Sequence, residues 1–454
     1  MIGVVGRVAA AASTSVSGAS LAVFRIGFGV VAAFVAVRWL AYGWVDALLV
    51  DPPIHFTYPG FGWVAPLPGV GMHLVVGTMV VAGIAIALGY RFRTAAAVFS
   101  AGMAYVQLID QTLYINHYYW MVLTAAVLAC SPAHRMWSLD ARRRTAPGDG
   151  TVPAGWVWLL RFQVGMVYVF AGLAKLGSDW LLHAQPLATW FPARADLPLV
   201  GPLLALPGTA YALSWAGALF DLTIVGWLLW RRTRPVALAA VVVFHVATWL
   251  LFPTIGVFPW PMIVGATMFL APDWPPRLGM RSPAPRIRGA GPSLTPRRPG
   301  RAATVAVAVY VIAMVALPFR HVGGGEDLLW AGAGYRFGWR VMLVEKSGTV
   351  DFVVTDPVAR TTWVEPPPPE LTPRQVAVMA VDPALIRRTA EIVATRHVAA
   401  VGGSVEVRAR SHVAFNGRPH AALVDPTYDL TALRPSDPWV LPPPAEPGGI
   451  TASR

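Results

Sequence analysis

LRFQVGMVYVFAGLAKLGSDW, residues 160–180, decides how this chain is read. It opens as an apolar run long enough to enter a bilayer and closes on Lys175, Asp179 and Trp180. Only two lysines occur in the chain, Lys175 and Lys346, so 34 of its 36 basic residues are arginine. Arginine stays protonated in proteins, whereas a desolvated lysine can give up its proton and act as a base. A lysine at the end of a membrane span, in a chain that otherwise uses arginine, is the first candidate for a chemical group. The alternative is an interfacial anchor whose ammonium snorkels to water.

Composition widens that reading to the whole chain. Hydrophobic residues make up 56% and charged residues 13%, with mean hydropathy +0.54. Soluble domains carry about 25% charged residues. Several apolar runs approach the roughly 20 residues that span a bilayer, and spans are expected near 20–43, 69–89, 94–112, 117–132, 156–176, 209–230, 236–252, 256–271 and 302–319. The expected fold is therefore a polytopic α-helical membrane bundle of about 8–9 spans, followed by a small extracytoplasmic α+β domain. Met1–Ser20 mimics a signal peptide, but its apolar part is weak and full spans follow, so cleavage is not expected. The single Cys130 excludes an internal disulfide, and no Cys/His cluster points to a metal.

The net charge of +13 fits topology better than nucleic acid. Arg91 and Arg93, then Arg135 and Arg142–Arg144, then Arg231, Arg232 and Arg234, then seven arginines from Arg277 to Arg301 fall in alternate loops. The intervening loops hold almost no basic residue beyond Arg194. By the positive-inside rule the N-terminus is cytoplasmic and the C-terminal region extracytoplasmic, at the cytoplasmic membrane. Lys175 then lies on the outer side. The expected division is a bundle over 1–271, an Arg/Pro-rich cytoplasmic linker over 272–301, a last span over 302–319, an α+β domain over 320–441 and a disordered tail over 442–454. In the α+β region, RVMLVEK (340–346), TVDFVVTD (349–356) and SVEVRARSHVAF (404–415) alternate as strands do, and a helical pattern starts at Thr372-Pro373.

Polar residues within or at the ends of spans are few: Arg25, Asp110, Asn116, His117, Lys175, Asp221 and His245. Such residues tend to line sites. Arg25 is expected to pair with a carboxylate or with inner headgroups. Asn116 and His117 share the outer side with Lys175, or else cap a helix starting at Tyr118. Asp221 and His245 are given no role beyond helix packing or pocket polarity. No P-loop, GxGxxG, HExxH or Ser/His/Asp pattern appears. The residues alone describe a membrane pocket with a lysine and a histidine at its outer mouth, without naming a reaction.

Motifs in order along the chain add the reaction. ASLAVFRIGFG (19–29), INHYY (115–119), HRMWSLDA (134–141), the stretch at 160–180, FDL (220–222), FH with LFPTIGVF (244–258), PDWPPRL (272–278) and YRFGWRVML (335–343) resemble the vitamin K-dependent gamma-glutamyl carboxylase family. The resemblance covers roughly residues 18–345. It implies a site for a reduced naphthoquinone, with O2 and CO2 as co-substrates. A lysine base starts oxygenation of the hydroquinone to its epoxide, and the strong base so formed takes a proton from a peptide glutamate that then adds CO2. Lys175 falls at the family's lysine, and Asn116-His117 at its Asn-His pair beside the quinone oxygen. Tyr335 and Trp339 match residues near the glutamate.

A lysine base must be neutral when it acts. With a reference pKa of about 10.4, that requires desolvation without a compensating carboxylate. Asp179, one turn on, is therefore expected to face away. The chain departs from the family in having Ala174 before Lys175, in Gly334, Gly338 and Val344 where animal carboxylases have leucine, serine and histidine, and in a shortened lumenal extension. The arginine bias and lack of a cysteine framework point to a bacterial relative, for which menaquinol is the natural quinol. The expected partners are the lipid bilayer, a quinol and a secreted glutamate-containing peptide. The alternative is a non-catalytic quinone- or lipid-binding protein, or a maturation factor for a secreted peptide.

Overall fold

The computed structural model describes residues 7, 10–143, 150–280, 300–320, 328–332, 334–401 and 403–445. Most of the expected linker, 281–299, and the tail from 446 lie outside these residues. A helical bundle comes first and a smaller domain of sheet and helices follows residue 300. A two-stranded antiparallel pair, β1 (Ser15–Ser17) and β2 (Thr151–Pro153), staples the chain ahead of the first span to that ahead of the fifth.

Among the described residues, seven helices are long and apolar enough to cross a membrane: α1 (Ala19–Ala41), α2 (Gly71–Leu88), α3 (Phe92–Ile109), α5 (Ala154–Ala174), α6 (Pro207–Leu229), α7 (Arg234–Leu251) and α9 (Arg301–Phe319). The other two expected spans are shorter helices, α4 (Asn116–Cys130) and α8 (Pro259–Ala266). At 1.5 Å per residue, the 15 residues of α4 cover only about 22 Å. The eight residues of α8, opened by Pro259 and Pro261, pack inside the bundle against α1, α5 and α7. Both segments still return the chain across the bundle: β1 pairs with β2 at the two ends of α1–α4, and the Ser20 amide at the start of α1 donates to the Pro272 carbonyl beyond α8.

Small residues set the closest helix approach. A side chain on Gly29 would strike the backbone of Ala87, and one on Gly83 would strike that of Ala33. The α1 and α2 backbones are thus in direct contact, the packing that glycine permits where lipid supplies no hydrophobic drive. Arg25, fully buried on α1, does not pair with a carboxylate or reach headgroups as expected. Its guanidinium donates to the carbonyls of Ile86 (2.9 Å), Ala87 (3.0 Å) and Trp137 (2.6 Å). The first two are among the carbonyls that the end of α2 leaves without helical partners, and Gly89 turns the chain there with φ 64° beside the guanidinium. Asp140, from the HRMWSLDA motif, accepts from the amides of Arg91 and Phe92 at the start of α3.

The second domain is a four-stranded antiparallel sheet in the order β4-β3-β5-β6, from β3 (Lys346–Asp356), β4 (Thr361–Glu365), β5 (Glu406–Phe415) and β6 (Arg418–Ala421). Phe352 faces Ala409 and Val354 faces Val407. These pack with Ile386, Ala390 and Val393 of α11 (Pro383–Val401). The expected helix start at Thr372-Pro373 is α10 (Pro373–Met379), with Thr372 and Gln375 forming a capping box. RVMLVEK is not a strand: β3 begins only at its last residue, and the rest docks on the bundle. The bundle loop reaches back, placing Phe56 in the domain core.

Removing the Arg25 guanidinium while keeping its bulk isolates one of these ties. Arg25→Met removes the side-chain donor shared by three carbonyls, of which Ile86 keeps the Gly89 amide, and a buried group left unsatisfied costs about 1–3 kcal/mol. The detergent-solubilised variant is expected to melt several degrees below wild type by fluorescence-detected size exclusion. An unchanged melting temperature would mean that the arginine does not hold α2.

Candidate functional site

Lys175 caps the end of α5, and its side chain folds back along the helix. Its Nζ lies 2.8 Å from Asp221 Oδ2 and 3.4 Å from the carbonyl of Ala171. The residue is 4% exposed, as is Asp221, which excludes the solvated-anchor alternative. Gly172 makes the pairing possible: a side chain there would collide with Leu222, so α5 and α6 touch beside Asp221. Trp180 closes the pocket from the other side. Its indole donates to the Ser214 carbonyl (2.6 Å), and its ring lies 4.9 Å from the amine, within cation–π range.

The carboxylate partner corrects the expectation that Lys175 would lack one. Asp179 does face away: it pairs with Arg418 (2.7 Å) and accepts from Asn416 (2.8 Å) in the sheet domain. Asp221, given no role from sequence, takes the place beside the amine. Its presence in FDL on an apolar helix was the available signal, but which cation it met depended on packing at Gly172.

Asn116, His117 and Trp339 come together in a narrow cleft with Trp120, Val167, Phe258, Pro261 and Met262. Asn116 does not cap a helix at Tyr118, since α4 begins at Asn116 itself. Its amide donates to the Arg340 carbonyl (3.1 Å) and its oxygen accepts from Tyr114 Oη (3.0 Å). Burial holds the Tyr114 phenol well above its usual range, so it remains a donor. That hydroxyl also accepts from the Phe337 amide (2.8 Å). Trp339, buried, stacks on Tyr119 with ring centroids 5.0 Å apart. Phe337, Trp339 and Met342 all adopt left-handed φ, 55–61°. Each costs on the order of 1 kcal/mol or more for a side chain with a Cβ, so the docking contacts hold this loop in shape.

Lys175 does not line the cleft at His117, and Tyr335 lies in a separate cavity beyond Tyr114. The lysine is nonetheless close along α5. Its amine sits level with Ala171, about 6 Å of helix rise past Val167 in the cleft wall. Between them Tyr168 Oη meets His245 Nε2 at 2.8 Å. The His245 ring is 5.7 Å from Phe258, which is 6.2 Å from His117. His245 Nδ1 and Trp120 Nε1 are buried without a hydrogen-bond partner among the described residues. Tyr168 and His245 are therefore additions to the site that pattern reading did not assign. No group of three or more metal-ligating side chains occurs among the described residues.

Two family models match successive parts of the chain. The HTTM domain matches residues 14–274, and the lumenal domain of vitamin K-dependent gamma-carboxylase matches residues 300–446. The chain belongs to the vitamin K-dependent gamma-carboxylase family. It is a carboxylase-like integral membrane protein, and its family implies a vitamin K-type cofactor. No solved structure matches it.

The Asn116 bridge can be tested without knowing any activity. Asn116→Ala removes the hydrogen bond that ties the Arg340 carbonyl in the 335–343 loop to α4, at about 1–3 kcal/mol. Trypsin is expected to cut after Arg340 several-fold faster in the variant than in wild type. Equal cutting rates would mean that the loop is held elsewhere.

Proposed function

We propose that this protein oxidises a reduced naphthoquinone, vitamin K or menaquinone hydroquinone, with O2 to the epoxide, coupled to gamma-carboxylation of a glutamate in a secreted peptide. The observation that carries this reading is the one lysine of the bundle, buried beside Asp221 and one helical turn from an aromatic cleft headed by His117. The residues fit the cofactor. Trp339, Phe258 and Trp120 offer faces for a planar ring, and the Trp120 indole N–H is a buried donor still without a partner. As it stands the cleft admits no water-sized sphere, so side chains must part for a ring to enter.

When bound, the hydroquinone would supply the four electrons that reduce O2, one oxygen atom entering the epoxide and the other leaving as water. The chain's residues handle the protons. Lys175 serves as the base, and burial of its pair matters because holding two ions away from water costs several kcal/mol for each. Asp221, 2.8 Å from Nζ, is the carboxylate with which the amine would exchange its proton. Asn116 fixes the start of α4 and so orients His117 toward the ring oxygen. Tyr168 and His245 position the far wall. Enclosure by Trp180, Trp339 and Phe258 keeps water from a reactive site.

The arginine alternation supports a cytoplasmic N-terminus and an extracytoplasmic sheet domain, with the bundle passing into that domain after Phe319. A secreted acceptor would then meet Tyr335, partly exposed, from outside, with Trp339 buried in the cleft beyond it. The competing reading, a non-catalytic quinone-binding or peptide-maturation protein, draws on the pairing of Lys175 with Asp221, which can also be a purely structural tie.

An anaerobic-to-aerobic assay on purified protein with reduced menaquinone or vitamin K separates the two. Wild type is expected to form epoxide, and Lys175→Met to lose about 10²–10⁴-fold in rate. Asp221→Asn is expected to lower the rate less than Lys175→Met. Folded, quinol-loaded wild type that forms no epoxide would leave the binding reading.

A further inference from the structure

The cleft at His117 has a far end that the proton chemistry does not use. Its wall includes Trp120 of α4 and Val167 of α5. One helical turn beyond each, on the same helix face, stand Thr124 and Gln163. Both steps lead away from the sheet domain, which is tied to Asn116 at the start of α4 and to Asp179 just past α5. Thr124 and Gln163 are 0% and 1% exposed. Trp120 Nε1, Thr124 Oγ1 and Gln163 Nε2 are all buried without a hydrogen-bond partner among the described residues. Tyr310 of α9 donates to Gln163 Oε1, which commits the acceptor end of that amide and leaves its donor end over. A buried polar group without a partner destabilises the empty protein. Three of them at one end of a single cleft have a common remedy, a ligand that brings its own oxygen.

We propose that Trp120, Thr124 and Gln163 hold the second oxygen of the quinone, the one para to the oxygen at His117, and so select rings oxygenated at both ends. The inference rests on the reading above that this cleft takes a naphthoquinone. Para oxygens are separated by the width of one ring, a span comparable to one helical turn of about 5.4 Å. A ring standing along α4 then presents one oxygen to His117 and the other to the groups beyond Trp120. The two N–H donors suit the carbonyl of the oxidised ring. The Thr124 hydroxyl, which donates or accepts, also takes the O–H of the reduced ring, so one set of side chains serves both redox states. A ring lacking the second oxygen would leave all three groups unmet, which is how a polar site rejects a close analogue.

The test reads each quinone oxygen separately. The full-length protein in lipid nanodiscs is loaded with oxidised menaquinone carrying an isotopic label at one ring carbonyl or the other, and infrared difference spectra are recorded. In wild type both carbonyl bands are expected below their frequency in lipid alone, as hydrogen bonding requires. Thr124→Val should raise one band toward the lipid value, leave the other in place and weaken binding several-fold. Gln163→Leu, made together with Tyr310→Phe so that the tyrosine hydroxyl is not stranded, should move the same band and weaken binding about tenfold. Without quinone, Thr124→Val should melt at or above the wild-type temperature, because it removes an unpartnered group; a purely structural hydroxyl would give the reverse. Wild type with only one lowered carbonyl band would overturn the inference, as would variants that leave both bands unmoved or a Thr124→Val protein that melts lower when empty. Wild type that binds no menaquinone would overturn the proposed function and this inference with it, so the two failures are told apart.

Discussion

The contact between Lys175 and Asp221 is the constraint around which the membrane part is arranged. A buried amine and carboxylate 2.8 Å apart require a water-poor setting, a close helix approach and partners on every side. Gly172 supplies the approach, Trp180 the lid, and Ser214 the anchor of that lid. Removing one member of such a pair strands the other in apolar surroundings. The motif at 160–180 and the FDL at 220–222 thus read as two halves of one interaction separated by 46 residues.

The sheet domain completes the site, and polar ties hold it to the bundle, among them three at helix ends. Asp179 takes Arg418 and Asn416, Asp110 takes Gln375 (2.7 Å), and Asn116 takes the Arg340 carbonyl. Each bundle partner lies at or near a helix end on one face of the bundle. The left-handed residues at 337, 339 and 342 lie in the loop these ties surround. Strain there is sustained by contacts on both sides, which explains why a stretch with strand-like alternation does not join the sheet.

Much of this was legible in the residues themselves. Hydropathy revealed seven of the crossing helices, and strand alternation revealed β3 and β5, because each depends on a local period. The capping box at Thr372 was visible for the same reason. Reach and pairing were not. How much of the apolar runs at 117–132 and 256–271 is helical depended on where α4 started and on Pro259 and Pro261. Arg25 looked like half of an ion pair, but the end of α2 offered carbonyls instead. Asn116 and His117 stood out by sequence context, while the Tyr168–His245 contact joins residues 77 apart and carries no local mark.

The account stands or falls on where the quinone ring sits. The most direct measurement is photo-crosslinking of the protein in lipid with a diazirine-bearing menaquinone, followed by peptide mapping. The account predicts labels concentrated at residues 116–120, 258–262 and 335–343, lost on competition with unlabelled quinone. Labels spread over the lipid-facing side of α9, or unaffected by competition, would contradict it.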